Sequence, residues 1–155
     1  LLYHNRNRLS SEAENRMEMT FCSLPELLSR SDYVSVHVPL SSDTRHLIGR
    51  KTLALMKPTA CLINTSRGAV VDESALVDAL SQGLLFAAGL DVYENEPDLA
   101  PGLVSLDNVI LAPHIGSATV KTRHRMATLA ADNLLQGLAG KMPPNCLNAE
   151  ARPPL

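Results

Sequence analysis

The stretch Ala60-Cys61-Leu62-Ile63-Asn64-Thr65-Ser66-Arg67-Gly68 begins as an apolar run short enough for a buried strand and stops abruptly in polar residues and a glycine. It predicts a strand over Cys61–Asn64 that surfaces with Arg67 at its carboxyl end. In open α/β sheets, ligands bind just outside those carboxyl ends. Arg67 therefore stands where a planar, permanently charged donor can grip a carboxylate. A lone arginine on a loop is more often a surface ion pair, so its meaning depends on what the neighbouring strands carry.

Two later runs have the same form. Phe86–Val92 reads as a buried strand that leads to Asp91 and then Glu96, in a loop punctuated by Pro97 and Pro101. Asn108–Ala112 reads as a last strand, closed by Pro113-His114. Upstream, Tyr33–Val38 alternates, is rich in β-branched residues and ends at Pro39. Leu1–Tyr3 reads as a short opening strand. Helical signals fill the gaps. Ser23 is an N-cap with a proline in the first turn and Glu26 three residues on. Ser10–Arg16 is polar and reads as a loop or a frayed helix. Gly49–Met56 is helix-like and halts at Pro58. Asp72 caps a helix through Ser81 that stops at Gly83. Ser117 or Thr119 caps a long helix whose Met126, Leu129, Ala130, Leu134 and Leu138 recur at helical period, with Gly137 and Gly140 ending it. Strands alternating with helices predict parallel pairing through right-handed crossovers. Apolar runs on both strand faces predict helices on both sides. The expected class is α/β, a Rossmann-like doubly wound parallel sheet.

Composition narrows the function. With 155 residues the chain is large enough for one domain with a proper core, and a net charge of -2 gives no bias toward nucleic acid or a membrane surface. The absence of tryptophan removes a stacking platform for single-stranded nucleic acid. No apolar run is long enough to span a bilayer. Cys22, Cys61 and Cys146 are odd in number and lack metal spacing, which predicts a reducing, cytoplasmic setting. No histidine pair has ligand spacing with a matching carboxylate, so no metal is expected.

If the strands are parallel, Arg67, Asp91, Glu96 and His114 gather along one sheet edge. A cation, a carboxylate and an imidazole converging there make an acid–base site with an anion clamp. Glu96 is the natural carboxylate to hold the imidazole of His114 and its tautomer. His37 is expected to be structural or to line the cofactor crevice by its backbone, and His46 and His124 to be solvated.

These residues resemble the D-isomer-specific 2-hydroxyacid dehydrogenases. The matching stretches are Val36-His37-Val38-Pro39-Leu40, Asn64-Thr65-Ser66-Arg67-Gly68, Ala88-Gly89-Leu90-Asp91-Val92-Tyr93, Glu96-Pro97 and Pro113-His114-Ile115-Gly116-Ser117-Ala118-Thr119, in the family's order. Within the family the chain most resembles the glyoxylate reductase/hydroxypyruvate reductase branch. The resemblance implies that Arg67 binds a small 2-oxo acid, that His114 is the proton donor in reduction to the D-2-hydroxy acid, and that Glu96 pairs with His114. It also implies that Asp91 and the backbone near Thr65 and Gly116 face the nicotinamide, that Pro39 sits by the adenine ribose, and that Val38 and Ser66 also bind the cofactor. A homodimer of the full-length protein is implied as well. A non-enzymatic, NAD(H)-sensing corepressor of the same fold is the alternative, since such proteins resemble the enzymes at Arg67, Glu96 and His114.

Cofactor choice is legible near Asn5, Arg6 and Arg8. NAD-binding units place an acid after the second strand for the ribose 2′-hydroxyl, whereas an arginine there accommodates a 2′-phosphate. No acid appears here until Glu12, so NADP(H) is favoured over NAD(H), carried by Arg6 with Asn5 assisting. The chain holds no Gly-x-Gly-x-x-Gly, and the first strand and phosphate-cradling turn are missing. It opens on Leu1, on a strand already under way, and is expected to be part of a longer protein. Residues 1–140 then form a partial NAD(P)-binding domain including the long helix, and 141–155 a tail returning toward a substrate domain. Alone, the polypeptide is expected to bind cofactor weakly, turn over negligibly and dissolve poorly.

Overall fold

The computed structural model describes residues 1–151. These fall into two compact units, Leu1–His114 and Ile115–Leu155; the last four residues of the 141–155 tail lie outside the described residues. In chain order the first unit contains β1 (Leu2–Tyr3), α1 (Ser11–Met17), β2 (Thr20–Phe21), α2 (Leu24–Arg30), β3 (Tyr33–Val36), α3 (Arg50–Leu53), β4 (Cys61–Asn64), α4 (Glu73–Ser81), β5 (Ala87–Leu90) and β6 (Val109–Leu111). Every strand pairing is parallel.

Local chemistry sets the helix starts. The Ser10, Ser23 and Asp72 side chains each accept the backbone N–H three residues on, satisfying an orphan donor of α1, α2 and α4. Gly83, at φ 68, ends the turn after α4 in a left-handed conformation that suits glycine. The polar segment around Ser10–Arg16 is thus a capped helix, not a loop.

The strands form two sheets, β1-β2 and β3-β4-β5-β6, where one was expected. β2 has only two residues, too few to show a strand's alternation in the sequence. Burial also departs from the expectation of helices on both faces. Val34, Val36, Leu62, Ala88 and Leu90 point into one core shared with Leu28, Leu53, Leu76 and Leu80 of the helices. On the opposite face the edge-strand residues Tyr33 and Ile110 are 75% and 76% exposed while Cys61 and Ile63 of β4 are half-buried, so that face is only partly covered. β3 is also shorter than expected, ending at Val36 before His37 and Val38.

The second unit is organised by α5 (Val120–Leu138), capped by Thr119, which accepts the Thr122 N–H. Ser117 is not the cap, and Gly137 lies inside the helix, leaving Gly140 at φ 70 to end it. Asn133 ties α5 to the following segment by accepting the Asn145 N–H at 3.1 Å. The expected apolar stripe forms, but Met126, Leu129, Leu134 and Leu138 are exposed. No helix among the described residues is long and apolar enough to cross a membrane.

Beside β1, the Glu14 carboxylate accepts the Tyr3 hydroxyl at 2.6 Å and a two-pronged contact from Arg8, Nε to Oε1 at 2.8 Å and Nη2 to Oε2 at 2.9 Å. Those bonds, Arg8 first, hold its pKa down from 4.5 to about 2. A carboxyl depressed on folding stabilises the fold fully above its ordinary value, and that stabilisation is lost as pH falls through the folded value. We therefore expect α1 and the β1-β2 pair to loosen between about pH 4.5 and 2. Glu14→Gln should flatten that pH dependence, read from α1 amide signals; an unchanged acid profile would contradict the assignment.

Candidate active site

Because β4, β5 and β6 are adjacent and parallel, their carboxyl ends share one edge of the sheet. Arg67 follows β4, Asp91 and Glu96 follow β5, and His114 follows β6. Each is delivered by a turn with its own physical cause.

Asn64, fully buried at the end of β4, builds the Arg67 turn. Its amide donates to the Arg67 carbonyl at 3.0 Å, and its carbonyl oxygen accepts both the Ser66 N–H (3.1 Å) and the Ser66 hydroxyl (3.0 Å). The exposed Arg67 guanidinium donates through Nη1 to the Ser66 carbonyl at 2.6 Å, leaving other N–H donors for a ligand. Gly68 then lies so close to the Tyr93–Glu94 backbone that a Cβ would collide with the Tyr93 carbonyl. The loops bearing Arg67 and Glu96 are therefore in direct contact, and only glycine permits it.

Tyr93 joins the ends of β5 and β6. Its hydroxyl donates to the Ala112 carbonyl at 2.7 Å, and its N–H donates to Glu96 Oε1 at 3.0 Å. The other Glu96 oxygen meets His114 Nδ1 at 2.8 Å. The His114 N–H donates to the Ala112 carbonyl across Pro113, and φ 53 places His114 in the left-handed region. Non-glycine residues adopt that conformation at a cost of roughly 1–2 kcal/mol, and such residues cluster at functional sites.

The hydrogen bond from His114 is the first cause holding the Glu96 carboxyl below its usual range, followed by the Tyr93 N–H, with a smaller contribution from the Arg67 charge. Glu96 thus stays ionised at neutral pH opposite the imidazole. A cleft of about 370 Å³ opens beside the pair, lined by apolar surface from Tyr93, Pro97, Leu99, Leu111, Ala112 and Pro113. Such a wall strengthens charge interactions relative to water.

Arg67, Glu96 and His114 are thus brought to one edge, and Asp91, buried at 8% exposure, lies on it with its N–H bonded to the Asn64 carbonyl. Thr65 is exposed and Ser66 half-buried on the Arg67 turn. Val38 is half-buried against the core, and the Pro39 carbonyl accepts the Thr44 hydroxyl at 2.6 Å. Asn5 and Arg6 are exposed after β1, and the Asn5 side chain accepts the Arg6 N–H at 3.0 Å. Gly116 belongs to the second unit.

His46 is exposed, as expected of a solvated histidine, and pairs there with Glu94 at 2.8 Å, which Arg45 also meets at 2.6 Å. His37 is outside the strand and bonds the Ser35 hydroxyl at 2.8 Å. Asn64, Gly68, Glu73 and Tyr93 shape the site through contacts between distant parts of the chain. Only Asn64 left a signal, a polar residue closing an apolar strand.

Residues 1–116 match the family described as D-isomer specific 2-hydroxyacid dehydrogenase, NAD binding domain. The chain belongs to that family. A glyoxylate reductase of Thermococcus litoralis is 50% identical over 150 residues, 97% of this chain and 45% of that protein. Among solved structures, a glyoxylate reductase from Paecilomyes thermophila aligns with a TM-score of 0.81 at 44% identity, covering 91% of this chain and 43% of that one. An NADPH-dependent glyoxylate/hydroxypyruvate reductase from Sinorhizobium meliloti, solved with NADP and malonate, aligns with a TM-score of 0.81 at 37% identity, covering 89% and 42%. The chain therefore spans about half the length of these family members.

Proposed function

We propose that this member of the 2-hydroxyacid dehydrogenase family carries the acid–base and anion-binding side of an NADP(H)-preferring reductase that converts a small 2-oxo acid of the glyoxylate/hydroxypyruvate type to the D-2-hydroxy acid. The observation that carries this reading is the 2.8 Å contact between Glu96 and His114 Nδ1, on the sheet edge that also bears Arg67. With Glu96 ionised, Nδ1 keeps its proton in the bond to the carboxylate. The other ring nitrogen, Nε2, is then the atom that exchanges a proton with substrate. In reduction, imidazolium Nε2–H protonates the oxo oxygen; in the reverse direction neutral Nε2 takes the hydroxyl proton. Arg67 pairs with the substrate carboxylate and stabilises charge growing on the oxo oxygen. When bound, the reduced nicotinamide supplies the hydride.

The donor set supports a cofactor with a 2′-phosphate. Arg8 is engaged with Glu14, whereas Arg6 makes no ion pair among the described residues. Glu14, one of the first acids after β1, is itself committed to Arg8 and Tyr3. We assign Arg6, with Asn5, to the phosphate; Val38, Pro39, Thr65, Ser66, Asp91 and Gly116 to the rest of the cofactor; residues 1–140 to the cofactor-binding domain; and 141–155 to the tail returning toward a substrate domain. Three free cysteines fit a cytoplasmic enzyme, and the family resemblance supports a homodimer.

The test is an enzyme in which this chain replaces the matching 150 residues of the Thermococcus litoralis relative. It should reduce glyoxylate with NADPH in preference to NADH, and Arg6→Ala should erase most of that preference, roughly tenfold for one lost charged hydrogen bond. An unchanged preference would remove Arg6 from the phosphate site, and a folded hybrid without turnover would sink the functional reading.

A further inference from the structure

We propose that Glu73 is a positioning residue for the Glu96–His114 pair, holding from beneath the loop that carries Glu96; this rests on the functional reading of that pair given above. Glu73 is the first residue of α4 and is 4% exposed. One of its carboxylate oxygens accepts the Glu94 N–H, and the other accepts the Ala100 N–H at 3.1 Å. The two amides bracket Glu96, one two residues before it and the other four after.

An acid in the first turn of a helix needs only to lie near the N-terminal amides to favour the helix dipole, and an exposed one serves as well. Glu73 is instead buried, with both oxygens committed to a segment 21 and 27 residues further on. A buried carboxylate left unpaired is strongly unfavourable, so the two backbone donors and the acid require each other. The same loop is gripped from outside, since the Glu94 side chain pairs with Arg45 and His46. Inside the loop, Asp98 N–H bonds the Asn95 carbonyl at 2.9 Å. Glu73 thus fixes both ends of a short, internally braced loop, and the carboxylate of Glu96 emerges between those ends. Its distance from His114 is set by a residue that touches neither.

The experiment follows the carboxyl carbon of Glu96 by NMR titration of the hybrid enzyme described above, carbon-13 labelled at glutamate, as wild type, His114→Asn and Glu73→Gln. Loss of the imidazole partner in His114→Asn should raise the Glu96 midpoint toward the ordinary carboxylate range. Glu73→Gln should raise it too. Removing a nearby negative charge would by itself lower that midpoint, so an upward shift reports loosening of the pair and not electrostatics. If His114→Asn shifts Glu96 but Glu73→Gln leaves it unchanged or lower, the positioning role is wrong while the pair stands. If His114→Asn has no effect, the pair and this role fall together. Should Glu73→Gln not fold, amide exchange in the unsubstituted hybrid enzyme decides. The Glu94 and Ala100 amides should exchange roughly tenfold or more slowly than that of Glu96 between them, as hydrogen bonds to a charged acceptor require. Equal rates at the three sites would overturn the proposal.

Discussion

His114→Asn should lower kcat for glyoxylate reduction by roughly 10²–10⁴-fold, the range for losing a positioned general acid, with a much smaller change in KM. Asparagine suits this test for a structural reason. At φ 53, position 114 demands the left-handed conformation that asparagine tolerates better than most side chains. The backbone of the turn is therefore kept, so the loop and the cleft should survive. What is lost is the titratable second nitrogen. Stopped-flow or steady-state measurement in the hybrid enzyme checks this. A variant retaining a tenth or more of wild-type kcat would remove His114 from the proton-transfer role.

The second large effect is expected at Arg67. Arg67→Lys keeps the charge but not the fork, and should cost roughly 10²–10³-fold in kcat/KM for a 2-oxo acid, about 3–4 kcal/mol of transition-state stabilisation. The guanidinium can hold one donor on the Ser66 carbonyl, at 2.6 Å, while others face a ligand. A lysine ammonium at the end of a flexible stem has no planar array to divide in that way. NADPH affinity should be little changed, because Arg67 is assigned to the substrate. Near-wild-type kcat/KM in the lysine variant would show that a point charge suffices and that no carboxylate is held by a fork.

The parts of this molecule that could be read in advance are those written in local chemistry. Ser23 and Asp72 announce helices α2 and α4 because a cap and its first turn are neighbours in sequence. The Cys61–Asn64 strand is legible because its apolar run is continuous and its end is polar. Given parallel strands, Arg67, Glu96 and His114 had to emerge on the same edge, and the Glu96–His114 contact is a consequence of that topology. The unread features depend on distant parts of the chain. Thr20–Phe21 is too short to show periodicity and becomes a strand only through Leu2–Tyr3. The expected single sheet is two because β1 and β2 pair only with each other among the described residues, a break that no local pattern in the sequence marks. Glu73 looks like an ordinary first-turn acid, and nothing near it shows that its oxygens reach Glu94 and Ala100. Gly68 is forced by an approach to Tyr93 that only the folded chain reveals.

A double-mutant cycle on His114→Asn and Glu96→Gln, read as kcat of glyoxylate reduction in the hybrid enzyme, asks whether the imidazole and the carboxylate act as one device. If Glu96 works by holding the proton-exchanging ring, removing it after His114 is gone should cost almost nothing, so the double variant should match His114→Asn alone. Losses that instead multiply, each substitution exacting its full penalty in the absence of the other residue, would mean that the 2.8 Å contact is not the unit that moves the proton.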